Sequence, residues 1–407
     1  MGKNTRTKKF LIITSLLIII SLIVNPKASV TSAYKGIKLW FDTVFPALFP
    51  FFVTVELLNK SGFVKILGVL MEPIMRPLFN IPGCGAFTFV IGIMSGYPMG
   101  AKITSQMREE RIISKTEGER MLAYCNNSGP LFILGAVGVG MFKIPVLGNL
   151  LLFTHILACI TVAFIFRFYK KKEKKFDMLK KEVSGNFTTR IKRAWSAPME
   201  YSDIGSLLGQ TIKNSLNTIL AIGGFIIFFS VIIAVLQNSI IPVISQFIFK
   251  LIGKAVDIEI INAVFCGFFE ITTGSSLAAS AGNSNIAIKA SAVALIIGWA
   301  GLSVHAQVMS IITDTDLSPK PYLAGKAIQS AFACIYTYIY LNLNNKFLSE
   351  AQTVTLISGK EQDFLNGLYY NSLLAGYYKY SLCLLAFCLL LICIKFALCK
   401  KRTKRLL

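Results

Sequence analysis

Runs of apolar residues, and the places where they stop short, give the first reading of this chain. Residues 10–24 form an apolar run behind Lys3, Arg6, Lys8 and Lys9. The run has the length of a signal-peptide core, but no A-x-A site follows, so an uncleaved first anchor is expected. Residues 39–58 form the next apolar stretch, interrupted by Pro46 and Pro50. Residues 62–79 collect their apolar positions on one face, with Glu72 and Arg76 one turn apart. That pattern predicts a helix in the membrane interface, its two charges forming a structural pair. Residues 83–94 are apolar for half a membrane's thickness and halt at Ser95-Gly96-Tyr97-Pro98-Met99-Gly100, after which a polar helix runs to 120. An apolar half, a Gly/Pro break and a charged return predict a re-entrant hairpin. A helix then starts at 121, is interrupted at Tyr124-Cys125-Asn126-Asn127-Ser128-Gly129-Pro130 and resumes over 131–142; residues 146–168 are a plain span.

The same order returns after a polar stretch at 169–210. Residues 216–236 span, 240–253 are short and amphipathic, and 258–269 are an apolar half broken at Glu270-Ile271-Thr272-Thr273-Gly274-Ser275-Ser276. Residues 286–312 contain the interruption Trp299-Ala300-Gly301-Leu302-Ser303-Val304-His305; 322–343 and 380–398 are the last spans, separated by a loop. Pro46 against Leu220, Gly92 against Gly267 and Ser128 against Ser303 keep a nearly constant offset. Counting crossings from a cytoplasmic N-terminus makes the first hairpin enter from inside and the second from outside. The expected fold is therefore an all-α polytopic membrane protein, with about eight transmembrane helices plus two re-entrant hairpins in two inverted repeats. Under this count the basic blocks at the N-terminus, at 170–175 and at 400–405 all fall in the cytoplasm, as the excess of Lys and Arg on cytoplasmic flanks requires. Both termini are thus expected inside.

Composition agrees. The chain has 407 residues, 54% of them hydrophobic and only 15% charged, against about 25% charged in soluble domains. The formal net charge of +22 could indicate nucleic acid, but the basic residues flank apolar runs and no basic patch is interleaved with exposed aromatics, so no nucleic-acid partner is expected. Nine cysteines and two histidines show no CxxC and no metal-ligand spacing, so neither metal nor cofactor is expected. No HExxH, P-loop or G-x-S-x-G occurs, and no catalytic residue is assigned.

Broken helices expose backbone polar groups, which a membrane tolerates only where they line a cavity. This points to a secondary transporter with its site at the junction of the repeats. A non-transporting membrane scaffold is the alternative, although a scaffold has no need of polar backbone at mid-membrane. Glu270 is the sharpest candidate, because an ionisable residue in an apolar segment is costly; it is read as proton carrier, ion ligand, substrate acceptor, or structural partner of Lys326. Thr272, Thr273, Gly274, Ser275 and Ser276 follow it and offer hydroxyls and helix N-terminal amides for a carboxylate. Asn126, Asn127 and Ser128 are the matching cluster of the first half, or glue between helices. Gly96, Tyr97, Pro98 and Ser303 complete the candidate site, with Gln307 on the face of Ser303. Lys102, Lys326 and His305 are candidate anion partners; the lysines have snorkelling to an interface as their other reading, and His305 and His155 have packing as theirs. The expected partners are a small anionic solute, a coupling ion (proton or sodium) and the lipid bilayer, with self-association left open.

Trp40-Phe41-Asp42-Thr43-Val44-Phe45-Pro46-Ala47-Leu48-Phe49-Pro50-Phe51-Phe52, the break from Gly92 to Lys102, and Cys125-Asn126-Asn127-Ser128-Gly129-Pro130 resemble the YlbJ family of sporulation integral membrane proteins over roughly residues 36–345. The repeat unit resembles the nucleoside-recognition (Gate) domain, and the architecture that of concentrative nucleoside transporters. Taken with the apolar runs and charge blocks, this divides the chain into an N-terminal anchor (1–35), two repeats that resemble gate domains (36–168 and 211–345), a cytoplasmic basic linker (169–210), and an extracytoplasmic loop, last transmembrane helix and basic tail (346–407). The resemblance also implies movement of dipicolinic acid from the mother cell across the outer forespore membrane of an endospore-forming bacterium. The first break carries Ser95-Gly96-Tyr97-Pro98 where nucleoside transporters carry an acidic cluster, and only Glu270 is retained as an acid; a nucleoside-like or other small organic solute is the alternative substrate.

Overall fold

A computed structural model describes residues 2–170, 187–196, 203–238, 240–252 and 257–344. Among them every regular element is helical. The expected span at 380–398 and nearly all of the loop before it lie outside the described residues, as do the basic blocks at 171–175 and 400–405.

Helix α1 (Gly2–Val24) and α2 (Pro26–Leu39) meet at Asn25, where the axis between 12–24 and 26–42 bends by 104°. Pro26 sits at the start of α2, where its missing N–H costs nothing. A π-helical turn, Trp40–Val44, carries the chain into α3 (Phe45–Lys60). Pro46 therefore falls in the first turn of α3 and Pro50 inside it, without ending the helix. Helix α4 (Phe63–Phe79) is the expected amphipathic element. Glu72 and Arg76 do pair, at 2.7 Å; Arg76 also pairs with Glu117, and Glu72 accepts from the Gly83 amide, so the pair ties α4 to the helices after it.

The first hairpin is α5 (Gly85–Ser95) and α6 (Met99–Glu109). The polar return, expected to run to 120, stops here. The chain restarts as α7 (Lys115–Cys125), where Ser114 accepts from the Glu117 amide and Glu117 reciprocates, a capping box that defines a helix start. A π-helical segment, Leu131–Met141, and α8 (Pro145–Phe166) follow. The stretch expected to be linker contains α9 (Phe187–Trp195), and its last residues already belong to α10 (Ile204–Asn238), which is far longer than the expected 216–236. Polar residues such as Ser206, Gln210 and Asn214 extend this helix beyond its apolar run. Helix α11 (Ile240–Ile252) precedes the second hairpin, α12 (Ile258–Phe269) and α13 (Ile271–Ser280). Helices α14 (Ile286–Trp299) and α15 (Gly301–Ile312) are separated at Ala300-Gly301, both at positive φ, and α16 (Pro319–Leu343) closes the described chain.

Three stretches among the described residues are long and apolar enough to cross a bilayer: Pro145–Phe166, Ile204–Gln237 and Ile286–Ile312; the bent α1–α2 pair would be a fourth. Exposed Phe153, Leu157, Phe164 and Ile165 give α8 a face suited to lipid. Helix α16 is mixed in composition because its buried face holds Tyr322, Lys326, Gln329 and Thr337, while Ile335, Tyr338 and Ile339 are exposed.

Candidate functional site

The hairpin break and the break of the following helix lie against each other in each half of the chain. In the first half, Gly92 and Gly100 face the main chain at Cys125: a Cβ on either would stand 1.8 or 2.0 Å from the Cys125 carbonyl oxygen. Only residues without side chains let the two backbones meet this closely. Gly96, at φ +83°, turns the hairpin tip, where a Cβ would meet the Gly129 nitrogen at 2.8 Å. In the second half Gly301, also at φ +83°, abuts Glu270, whose Cα would be 3.1 Å from an added Cβ.

Breaking α7 frees carbonyls that a continuous helix would have used. Side chains take them up. The Tyr124 carbonyl accepts from Asn127 Nδ2 at 2.7 Å and from Cys159 Sγ at 2.9 Å, while Lys326 Nζ donates to the Asn126 carbonyl at 3.0 Å. Lys326 is fully buried; it does not snorkel. It donates also to Gln329 Oε1 at 2.8 Å and lies 5.3 Å from the centre of the Tyr97 ring. Among the described residues no carboxylate forms an ion pair with it. Its compensation is the negative end of α7, together with an amide and an aromatic face.

The network spreads from there. Gln329 Nε2 donates to Asn127 Oδ1 at 2.9 Å and lies 3.4 Å from His155 Nε2. Tyr97 donates to the Ile297 carbonyl at 3.0 Å, binding the first hairpin to α14. Tyr322 stands between Asn126 Nδ2 at 3.5 Å and His305 Nδ1 at 2.9 Å, and His305 packs edge-on against Trp299 at 4.4 Å. Asn126 Oδ1, His155 Nδ1 and His305 Nε2 are buried with no hydrogen-bond partner among the described residues, an arrangement that favours a polar occupant.

The structure thus brings Gly96, Tyr97, Asn126, Asn127, Lys326 and His305 into one neighbourhood, with Pro98 and Ser128 beside the same crossing. Ser303 is buried two residues before His305. Glu270 and its neighbours form the other crossing, and one reading of them changes. Glu270 Oε1 and Oε2 accept from the Thr272 and Thr273 amides at 2.8 and 2.7 Å. The amides expected to bind a solute carboxylate already hold this one, because an acid at the N-cap is the nearest anion to the start of α13. Glu270 and Lys326 are not a pair. Gly274 packs on the backbone of Gly267, and the buried Ser275 hydroxyl has no partner among the described residues. Lys102 is turned elsewhere, toward Glu56 Oε2 and Thr218 Oγ1, both at 3.0 Å.

Glu56, Tyr322 and Gln329 were not singled out by the sequence. Glu56 carried the signal that marked Glu270, an acid in an apolar run. Gln329 lies one turn after Lys326, on the same face. Tyr322 offered no signal.

Over 360 residues the chain is 35% identical to the sporulation integral membrane protein YlbJ of Bacillus subtilis (strain 168), an alignment covering 81% of this chain and 86% of the relative. The chain belongs to the YlbJ family of sporulation integral membrane proteins. A family model described as nucleoside recognition (Gate) matches residues 41–169, so in this YlbJ-family chain the match holds Tyr97 and Asn126 to Ser128 while Lys326 lies beyond it. No solved structure matches. Family and apolar helices together make it an integral membrane protein. Among the described residues no group of three or more His, Cys, Asp or Glu side chains is placed to hold a metal ion.

Proposed function

We propose that this YlbJ-family chain is a secondary transporter that moves a small organic anion, dipicolinic acid in the first instance, out of the mother-cell cytoplasm across the outer forespore membrane, coupled to a proton or sodium ion. One observation carries the reading: a fully buried lysine held by a broken helix's carbonyl and an amide, with no acid among the described residues paired to it. A buried ammonium is costly without an anion, so a solute carboxylate is the counter-charge such a site favours. The unpartnered atoms of Asn126, His155 and His305 offer further hydrogen bonds around it.

The contact of break with break in both halves supports two gate-type repeats, 36–168 and 211–345, of opposite orientation within about eight spans. On this reading both termini and the 169–210 linker are cytoplasmic and the loop after 344 is outside. Cysteines placed at Ser184 and Ser349 in a background without accessible thiols should then react with an impermeant reagent from opposite sides; reaction from one side only defeats the inversion.

The decisive experiment is uptake of labelled dipicolinate by proteoliposomes containing this protein alone, with imposed proton or sodium gradients. The amide-rich set of Asn126, Asn127 and Gln329 keeps a nucleoside-like solute as a second reading, so uridine and adenosine belong in the same assay. Absence of flux for every solute leaves the scaffold reading.

A further inference from the structure

Away from the breaks, a cleft of about 270 Å³ opens between α6, α10 and α15. Each helix gives it one stripe at helical spacing: Lys102, Ser105, Gln106 and Glu109; Thr218, Ala221, Ile222 and Phe225; Gln307, Ser310 and Ile311, with Asp314 in the turn just after α15. Two walls are mainly polar. The third is apolar beyond Thr218. Pro98, at the hairpin tip, lines the end where α6 begins.

Lys102 is the cation on this surface, and its support lies behind it. Glu56 on α3 is 3% exposed, is not part of the lining, and accepts from Lys102 at 3.0 Å and from Asn214 Nδ2 at 2.8 Å. Thr218 takes a second donor of the ammonium; an ammonium has three. A neutral pair is therefore built with its positive member toward the cleft and its negative member buried on the far side. Glu109 and Asp314 stand at the C-terminal ends of their stripes, and Glu109 is held by Ser105 at 3.0 Å.

We propose that this cleft is the access site for the solute, taking a planar aromatic carboxylate with its carboxylate on Lys102 in competition with Glu56 and its ring against Ala221, Ile222 and Phe225. The proposal rests on the transport reading for its biological sense, but it concerns a different set of residues. Gln106, Gln307 and Ser310 can donate to the same carboxylate, while Glu109 and Asp314 in the lining disfavour a second negative charge. The cleft therefore favours a monoanion, and picolinate should bind here more tightly than the dianion dipicolinate. Glu56 acts as a standing competitor: it neutralises Lys102 when the cleft is empty and keeps the bound anion from being held too tightly to move on.

Equilibrium binding of labelled dipicolinate and picolinate to the purified full-length protein in nanodiscs tests this. Lys102→Gln should weaken binding at this site by at least about tenfold. Glu56→Gln should do the opposite, tightening it by a similar factor while slowing flux in liposomes. Ala221→Trp, which fills the cleft and leaves the ion pair intact, should abolish binding at this site without lowering the melting temperature. Unchanged affinity in both Lys102→Gln and Ala221→Trp overturns the proposal, as does weaker binding in a folded Glu56→Gln. The transport reading fails separately, by absence of flux in the wild-type protein; opposite shifts in Lys102→Gln and Glu56→Gln uphold the cleft even then.

Discussion

The Lys326 ammonium donates to the Asn126 carbonyl at 3.0 Å, joining residues 200 positions apart at the point where α7 is broken. Its cost and its use predict opposite effects of removing it. Lys326→Met leaves two acceptors unbonded but also removes a buried charge with no ion-pair partner among the described residues, and the relief of that desolvation cost offsets the lost hydrogen bonds. We expect transport to fall at least about tenfold with a melting temperature equal to or above wild type. A drop of more than about 5 °C together with lost flux would make Lys326 a structural strut instead.

The glycines of the first crossing predict a contrast. Gly92→Ala puts a methyl group 1.8 Å from the Cys125 carbonyl, an overlap with backbone that costs about 3 kcal/mol or more. Gly224→Ala on α10 meets nothing within 4 Å and should stabilise by up to about 1 kcal/mol through helix propensity. Thermal unfolding of both in one detergent measures the two signs.

Glu270 should behave as a cap. Glu270→Ala frees the Thr272 and Thr273 amides and should cost about 1 kcal/mol, whereas Glu270→Asp keeps an acceptor at the helix start and should lose less than half of that. If Asp and Ala are equally stable and equally inactive, the carboxylate's role is reach into the site and not capping.

Acid sensitivity has a defined location. Arg108 holds the Asp316 carboxylate at 2.9 and 3.1 Å, and this hydrogen bonding keeps Asp316 below its ordinary carboxylate range. A lowered carboxylate pKa contributes stability above the unfolded pKa, and that stability is lost as the pH falls through the folded one. The melting-temperature difference between wild type and Asp316→Asn should therefore be present at pH 7, begin to shrink near about pH 4 and vanish only as the pH falls through the lower folded value. The pair is partly exposed, so the difference will be small and reduced by salt.

Helix positions were legible wherever apolar runs meet a Gly or Pro stop. The half-span expected at 258–269 is Ile258–Phe269, and the plain span at 146–168 is Pro145–Phe166. The restart at Ser114 was legible too, in the S-x-x-E spacing, but a helical reading carried through it. What could not be read were the partners of buried charges. Lys102 meets Glu56, and Lys326 meets Asn126, because helices distant in sequence cross there, and no local periodicity encodes a crossing. Glu270 was visible as an acid in an apolar segment. That its carboxylate would close on its own helix start depends on backbone angles at the break.

The contact of Gly92 and Gly100 with the Cys125 carbonyl also says what can move. Where side chains separate two helices, they can change rotamer and let one helix slide past the other. Here bare backbone touches bare backbone, and any sliding of the hairpin would drive main-chain atoms into each other. Hairpin and α7 must travel as one rigid piece, and a conformational cycle in this protein has to find its hinges elsewhere, outside the crossing.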